Sequence, residues 1–234
     1  RGALQRLLEL DRLIDLVIAR GAPELTRAVR RQSAIPVLGR DRGLCHTFVD
    51  AAADLGMASE ICLNAKVERP GLCGAMETLL VHEAVAERFL PALALRYAQA
   101  GVELRGCPRA LVFLPKAKAA ADEDWETEYL DLILSIKVVA SLEEAIAHIA
   151  RHGSGLADAI VTQDRSAAER FQREVDSGAV FVNASTSLTG GGEFGLGADM
   201  GISTQKIHAR GPVGLEGLTC EKFIIDGAGQ IRKS

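Results

Sequence analysis

Two hydrophobic periods alternate along the chain. Leu55, Ala58, Ile61, Cys62 and Ala65 recur at the spacing of one helix face, whereas Thr78-Leu79-Leu80-Val81 is a continuous apolar run of strand length. Applied from the start, this pattern predicts a helix around Leu4, Leu7 and Leu8, a buried strand over 13–18, a turn at 19–23 and a helix over 24–32. A crossing between two domains is expected over 33–39, then a strand over 44–49 and a helix starting at Asp50. An amphipathic helix over 83–100 should close at Gly101, with Pro91 marking a kink or an end. Residues 106–126 are charged and alanine-rich without a period, which predicts a surface excursion. A strand over 132–139 follows, and Ser141 and Glu144 form a capping box for a helix to His152 that Gly153 stops. A strand over 158–162, a helix over 165–175 and a strand over 179–182 complete the series. Strands alternating with helices predict an α/β fold whose parallel sheet is covered by helices.

With 234 residues, 48% of them hydrophobic, the chain can bury a real core as one large domain or two small ones. A net charge of -4 argues against nucleic acid or an anionic membrane surface as partner. No apolar run approaches a membrane span. The five cysteines are odd in number, scattered and without a Cys-x-x-Cys pair, which suits reduced thiols in a cytoplasmic protein.

Candidate chemistry centres on Cys73, placed by Pro70 and Gly71 in a turn between the predicted helix and strand. A thiol on a loop between rigid elements suits a nucleophile. A buried small hydrophobe is the other role open to it. The turn at Gly21 before a helix N-terminus could take a phosphate, although most such turns only connect elements. Cys45 and His46 are expected to pack, and His148 and His152, four apart on a helix, to lie on the surface, since no third ligand accompanies them. The polar, glycine-rich stretch from Asn183 to Gly197 follows the last strand, where open α/β sheets usually bind ligands. His208 and Arg210 offer donors for a carboxylate or phosphate.

Asn64-Ala65-Lys66, Arg69-Pro70-Gly71, Cys73 and Ala75 through His82 resemble the cysteine segment of the gamma-glutamyl phosphate reductase (glutamate-5-semialdehyde dehydrogenase) family, in the aldehyde dehydrogenase superfamily. Val182 through Thr186, Phe194 through Gly197 and Ile202 through Pro212 resemble the same family, with His208-Ala209-Arg210-Gly211-Pro212 specific to it. The resemblance spans nearly the whole chain.

The resemblance implies an aldehyde dehydrogenase-like, three-layer αβα catalytic domain over 39–212 that carries Cys73. The last part of a Rossmann-like NADP-binding domain over 1–38 would precede it, and an oligomerisation arm over 213–234 would follow. Members of the family are longer, and this chain opens on Arg1 rather than methionine, so it is expected to be the C-terminal, cysteine-bearing half. The implied reaction is NADPH-dependent reduction of L-glutamyl 5-phosphate to L-glutamate 5-semialdehyde and phosphate, on the way to proline. By resemblance Cys73 is the nucleophile, Arg20, Gly21 and Glu128 hold NADP(H), and Asn183, Ser185, Thr186, His208 and Arg210 bind substrate. The family usually reads Pro-Arg-Gly-Gly where this chain has Ala19, Arg20, Gly21 and Ala22. Val37 stands where hydrolytic relatives carry a water-activating glutamate. Lys66 and Arg69 are expected to lower the thiol pKa if they lie near it, and the Cys73 N–H to bind the oxyanion. No metal is implied. The implied partners are a small-molecule substrate, a second copy of the chain in a dimer or tetramer, and a glutamate 5-kinase, paired or fused upstream. The rival expectations are a hydrolytic aldehyde dehydrogenase and a non-catalytic fragment, inactive without its N-terminal half.

Overall fold

The structure, a computed structural model, describes residues 2–232. Helix α1 (Gly2–Leu7), strand β1 (Val17–Ala19), helix α2 (Pro23–Gln32) and strand β2 (Val37–Gly39) form a small unit. Its two strands pair in parallel, and Leu8, Val29 and Val37 form its core. The expected crossing over 33–39 is therefore strand at its end, and the chain passes to the main sheet over 40–44.

The main sheet has seven strands, β3 (Cys45–Val49), β4 (Met76–His82), β5 (Glu103–Gly106), β6 (Lys118–Ala119), β7 (Ile133–Val139), β8 (Ala157–Val161) and β9 (Ala179–Val182). They lie in the order β6-β5-β7-β4-β3-β8-β9, and every pairing is parallel. The central strands are buried on both faces, which is why β4 carries consecutive apolar residues, Leu79-Leu80-Val81. Helices α3 (Leu55–Val67) and α4 (Glu83–Gln99) cover one face, where Ile61, Leu79, Leu90 and Tyr97 meet. The short α5 (Pro108–Leu111) packs on the same cluster through Ala110. Helices α6 (Leu142–His152) and α7 (Arg165–Glu174) cover the other, where Phe48, Leu80, Ile149 and Phe171 meet. Leu79 and Leu80, adjacent in β4, thus serve opposite layers, and the result is helix, sheet, helix.

Several local expectations change. Helix α3 begins at Leu55, capped by the Asp54 side chain, while Asp50 is buried and accepts the Thr162 hydroxyl at 2.6 Å. Helix α4 does not end at Pro91 but continues to Gln99, with Pro91 and Glu87, one turn before it, both on the exposed face. The supposed surface excursion over 106–126 holds α5, β6 and a 3-10 turn (Asp122–Glu126), directly after β5, and it buries Cys107, Ala110, Leu114 and Asp124. The capping box of α6 is split: Ser141 accepts from Glu144 N–H, while the Glu144 carboxylate accepts from Ala140 rather than Ser141. Residues 202–203 (β10) and 211–212 (β11) form an antiparallel pair. Beyond it, apart from a 3-10 turn (Glu216–Leu218), the chain to residue 232 is irregular, with Phe223, Ile224 and Ile225 exposed. No helix among the described residues is long and apolar enough to cross a membrane.

His148 is buried rather than on the surface, in edge contact with His46 on β3 and with Trp125, and His152 stacks beside it. Asp158 fixes His46, accepting from its backbone at 2.8 Å and bonding its Nδ1 at 2.9 Å. Desolvation and the facing charges of His46, Lys137, His152 and Arg151 push the His148 pKa down to about 2. The folded protein thus keeps His148 neutral, whereas the unfolded chain protonates it below about pH 6.5. Stability is lost as pH falls through that range, by up to about 1.4 kcal/mol per pH unit from this group. Urea unfolding followed by the emission of Trp125, the sole tryptophan, should show this acid limb, and His148→Leu should flatten it. An equally steep limb in the variant would contradict this account.

Candidate active site

Cys73 lies in the turn that enters β4, Gly43 in the loop that enters β3, and Glu128 in the segment that enters β7. All three sit at the amino edge of the sheet, opposite the carboxyl edge where the Asn183 stretch emerges. Their approach is very close. A Cβ on Gly43 would lie 2.7 Å from the Cys73 carbonyl oxygen and 2.8 Å from both Cys73 Cβ and Glu128 Oε1. Only glycine fits there. The same Glu128 oxygen accepts from Arg40 Nη1 at 2.8 Å.

The thiol is half-buried, whereas Cys45, Cys62 and Cys107 are buried and Cys220 is exposed. Cys45 packs beneath it and donates its S–H to the Cys73 carbonyl at 3.2 Å. Burial raises the Cys73 pKa, Arg40 opposes that rise, Glu128 and Asp199 add to it, and the residue's own backbone N–H favours the thiolate. The cation acting on the thiol is Arg40, rather than Lys66 or Arg69, which sequence offered if they lay near it. Lys66 is fully buried and donates to Glu77 at 2.7 Å. Desolvation pushes the Glu77 pKa up to about 7 and pulls Lys66 down, with each partner opposing the other's shift. Glu77 also accepts from the N–H of Leu130, whose φ of 55° is unusual for a leucine. This pair therefore fixes the backbone two residues beyond Glu128. Tyr129, between them, bonds Asp124 and Ser135, each at 2.8 Å, and lies under the Arg105 guanidinium.

On the other side of Cys73, residues after β9 turn back over β3 and β8. A Cβ on Gly74 would meet the Thr186 carbonyl oxygen at 2.9 Å and Thr189 Cβ at 3.4 Å. Thr186 is fully buried and its hydroxyl has no partner among the described residues. Ser185 bonds Ser187, which donates to Asn64 at 2.7 Å. Asn183, with φ 55°, spends its amide on the Thr162 backbone. His208 is exposed and bonds the Gly217 carbonyl. Arg210 donates to Asp176 and to the Gly155 carbonyl, in a cavity of about 270 Å³ near the C-terminal ends of α6 and α7 that does not include Cys73. Val37 is committed to the core of the small unit. Arg20 and Gly21 lie in the turn between β1 and α2, and α2 has no side-chain cap. Arg40 and Gly43 escaped sequence reasoning, since neither belongs to a recognisable motif. No metal-binding cluster occurs among the described residues.

Two consequences are testable by alkylation. Because Cys73 is raised, its rate with iodoacetamide should keep climbing with pH past the ordinary thiol range near ~8.5. Gly43→Ala must force the three loops apart, so it should slow that reaction at Cys73 while costing about 1–3 kcal/mol in urea unfolding. Unchanged kinetics in Gly43→Ala would mean the loops are not close-packed.

The chain is similar to known proteins over its whole length. The aldehyde dehydrogenase family model matches residues 120–202. The gamma-glutamyl phosphate reductase of Thermodesulfovibrio yellowstonii is 55% identical over 233 residues, which is 100% of this chain and 56% of that protein. That of Caldanaerobacter subterraneus subsp. tengcongensis is 52% identical with the same coverage. The crystal structure of gamma-glutamyl phosphate reductase from Thermotoga maritima superposes with a TM-score of 0.96 at 46% identity, over 100% of this chain and 56% of that one. The chain spans about half the length of these relatives, 56%. It belongs to the aldehyde dehydrogenase superfamily, on the branch of the gamma-glutamyl phosphate reductases.

Proposed function

We propose that the chain carries the acyl-transfer site of an NADPH-dependent reductase that converts L-glutamyl 5-phosphate to L-glutamate 5-semialdehyde and phosphate. The observation that supports it most is the half-buried Cys73 thiol, held between Gly43, Arg40 and Glu128 on one side and Thr186 on the other. The Cys73 sulfur lone pair forms a bond to the acyl carbon, the bond from that carbon to the phosphate oxygen breaks, and phosphate leaves with the electron pair. A thioester on Cys73 remains. The backbone N–H of Cys73, which lies against its own sulfur, is the donor available to the developing oxyanion. Collapse of the later hemithioacetal breaks the carbon–sulfur bond and returns the thiolate.

The dinucleotide has a fitting, partial seat in this chain. The uncapped N-terminus of α2, with Arg20 and Gly21 in the turn before it, suits a pyrophosphate, and Glu128 beside Cys73 suits a ribose hydroxyl. When bound, the reduced dinucleotide supplies the hydride that the thioester accepts. Residues 1–38 are the closing part of its domain, 39–212 the catalytic domain and 213–234 an arm for a homo-oligomer, for which exposed Phe223, Ile224 and Ile225 provide apolar surface. Proline biosynthesis in the cytoplasm is the setting this implies. Substrate contacts are best supplied by Thr186 and Ser185, next to the cysteine loop; His208 and Arg210 stand further from it in the hydrogen-bond network.

Hydrolysis is disfavoured by Val37, which stands where hydrolytic relatives carry a water-activating glutamate and has no group to take a proton from water.

The test is NADP reduction with glutamate semialdehyde as a function of phosphate, with a full-length gamma-glutamyl phosphate reductase alongside. Exchange of labelled phosphate into glutamyl phosphate by this chain reads the thioester step without the cofactor. Phosphate-dependent reduction and exchange are expected, and Cys73→Ala should lower exchange by on the order of 10⁴-fold or more while leaving the unfolding free energy in urea within about 0.5 kcal/mol. Exchange undiminished in Cys73→Ala, or reduction that needs no phosphate, would overturn the proposal.

A further inference from the structure

We infer that Arg40 is the anion receptor of the site: its guanidinium both favours the Cys73 thiolate and takes the phosphate of the acyl phosphate. This rests on the function proposed above. Arg40 enters the main sheet from the small unit, and its side chain is 30% exposed. Of its five N–H donors, one hydrogen bond is made among the described residues, from Nη1 to Glu128 Oε1 at 2.8 Å. That same oxygen and Cys73 Cβ each lie 2.8 Å from a single point beside Gly43, so the guanidinium is anchored through Glu128 at the flank of the cysteine. The anchor orients the planar group and leaves further donors for a second acceptor. A phosphate matches such a fork with two parallel hydrogen bonds.

Charge favours the same assignment. The thiolate and the phosphate of the substrate are both anionic, and Glu128 and Asp199 already raise the thiol pKa. Bringing an acyl phosphate to this cysteine without a cation would set like charges against one another. Of the two basic residues in the cysteine segment, Lys66 is buried on Glu77, and Arg69 is exposed and not among the charges that act on the thiol. In the transfer step the carbon–oxygen bond breaks and its electron pair stays on the departing phosphate, so negative charge grows where the guanidinium is held. Arg40 would therefore stabilise the leaving group directly.

The experiment uses this chain and iodoacetamide, with peptide mass spectrometry resolving Cys73 from the exposed Cys220. In the wild type, inorganic phosphate at millimolar concentration should slow alkylation of Cys73 several-fold and leave Cys220 unchanged. Arg40→Gln should move the pH profile of Cys73 to higher pH and abolish the phosphate effect, while Arg40→Lys, which keeps the charge, should stay close to the wild-type profile but weaken the phosphate effect. A profile and phosphate response unchanged in Arg40→Gln would overturn the inference while leaving Cys73 as nucleophile. Loss of the phosphate effect in Arg40→Gln without any pH shift would likewise overturn the thiolate role. Absence of labelled-phosphate exchange into glutamyl phosphate by the wild type would instead remove the function on which the inference rests.

Discussion

Where β3 begins, three loops come so close that one methyl group would not fit between them. Gly43 lies against the backbone and Cβ of Cys73 and against the carboxylate of Glu128. Everything chemical about the site depends on that contact, because it sets a thiol, a carboxylate and, through the carboxylate, a guanidinium at one point on the sheet edge. The rigid part is the sheet itself. β3, β4 and β7 are neighbours in parallel register, so the loops that enter them necessarily converge. The site is thus a property of strand order as much as of the residues that line it.

Beneath the site, the buried Lys66–Glu77 pair costs desolvation on both partners, and its return is positional rather than energetic. Glu77 holds the N–H of a leucine in the left-handed region and so carries the strained backbone that follows Glu128. Asp124, Tyr129, Ser135 and Arg105 secure the same segment from the other side. The region that seemed an irregular excursion in sequence is therefore a frame for Glu128.

Periodicity made most elements legible: α3, β4, α4, β7, α6, β8, α7 and β9 all lie where the apolar spacing put them, to within a few residues. What it could not show is long-range. Around β5, apolar Val102 and Leu104 alternate with charged Glu103 and Arg105 over too few residues to stand out, and β5 is a strand because β7 and β6 pair with it. His148 sits on a helix that looks half-polar, but His46 and Trp125 come from distant segments to bury it. Cys73 was legible from its turn and from the family's wording. Arg40 was not, since its importance arises from an ion pair across 88 residues. The stretch after the last strand emerges at the carboxyl edge, yet it reaches the cysteine at the opposite edge by turning back over β3 and β8.

The central claim is that Cys73 becomes covalently acylated. Glutamyl phosphate generated in situ by a glutamate 5-kinase, in the absence of any reduced dinucleotide, should leave a glutamyl thioester on the Cys73 peptide. Intact-mass and peptide mass spectrometry of the quenched protein measure it directly. A hydroxylamine-labile glutamyl mass on that peptide, and on no other cysteine, is the predicted result. An unmodified Cys73, or a label of the same extent on Cys220, would contradict it.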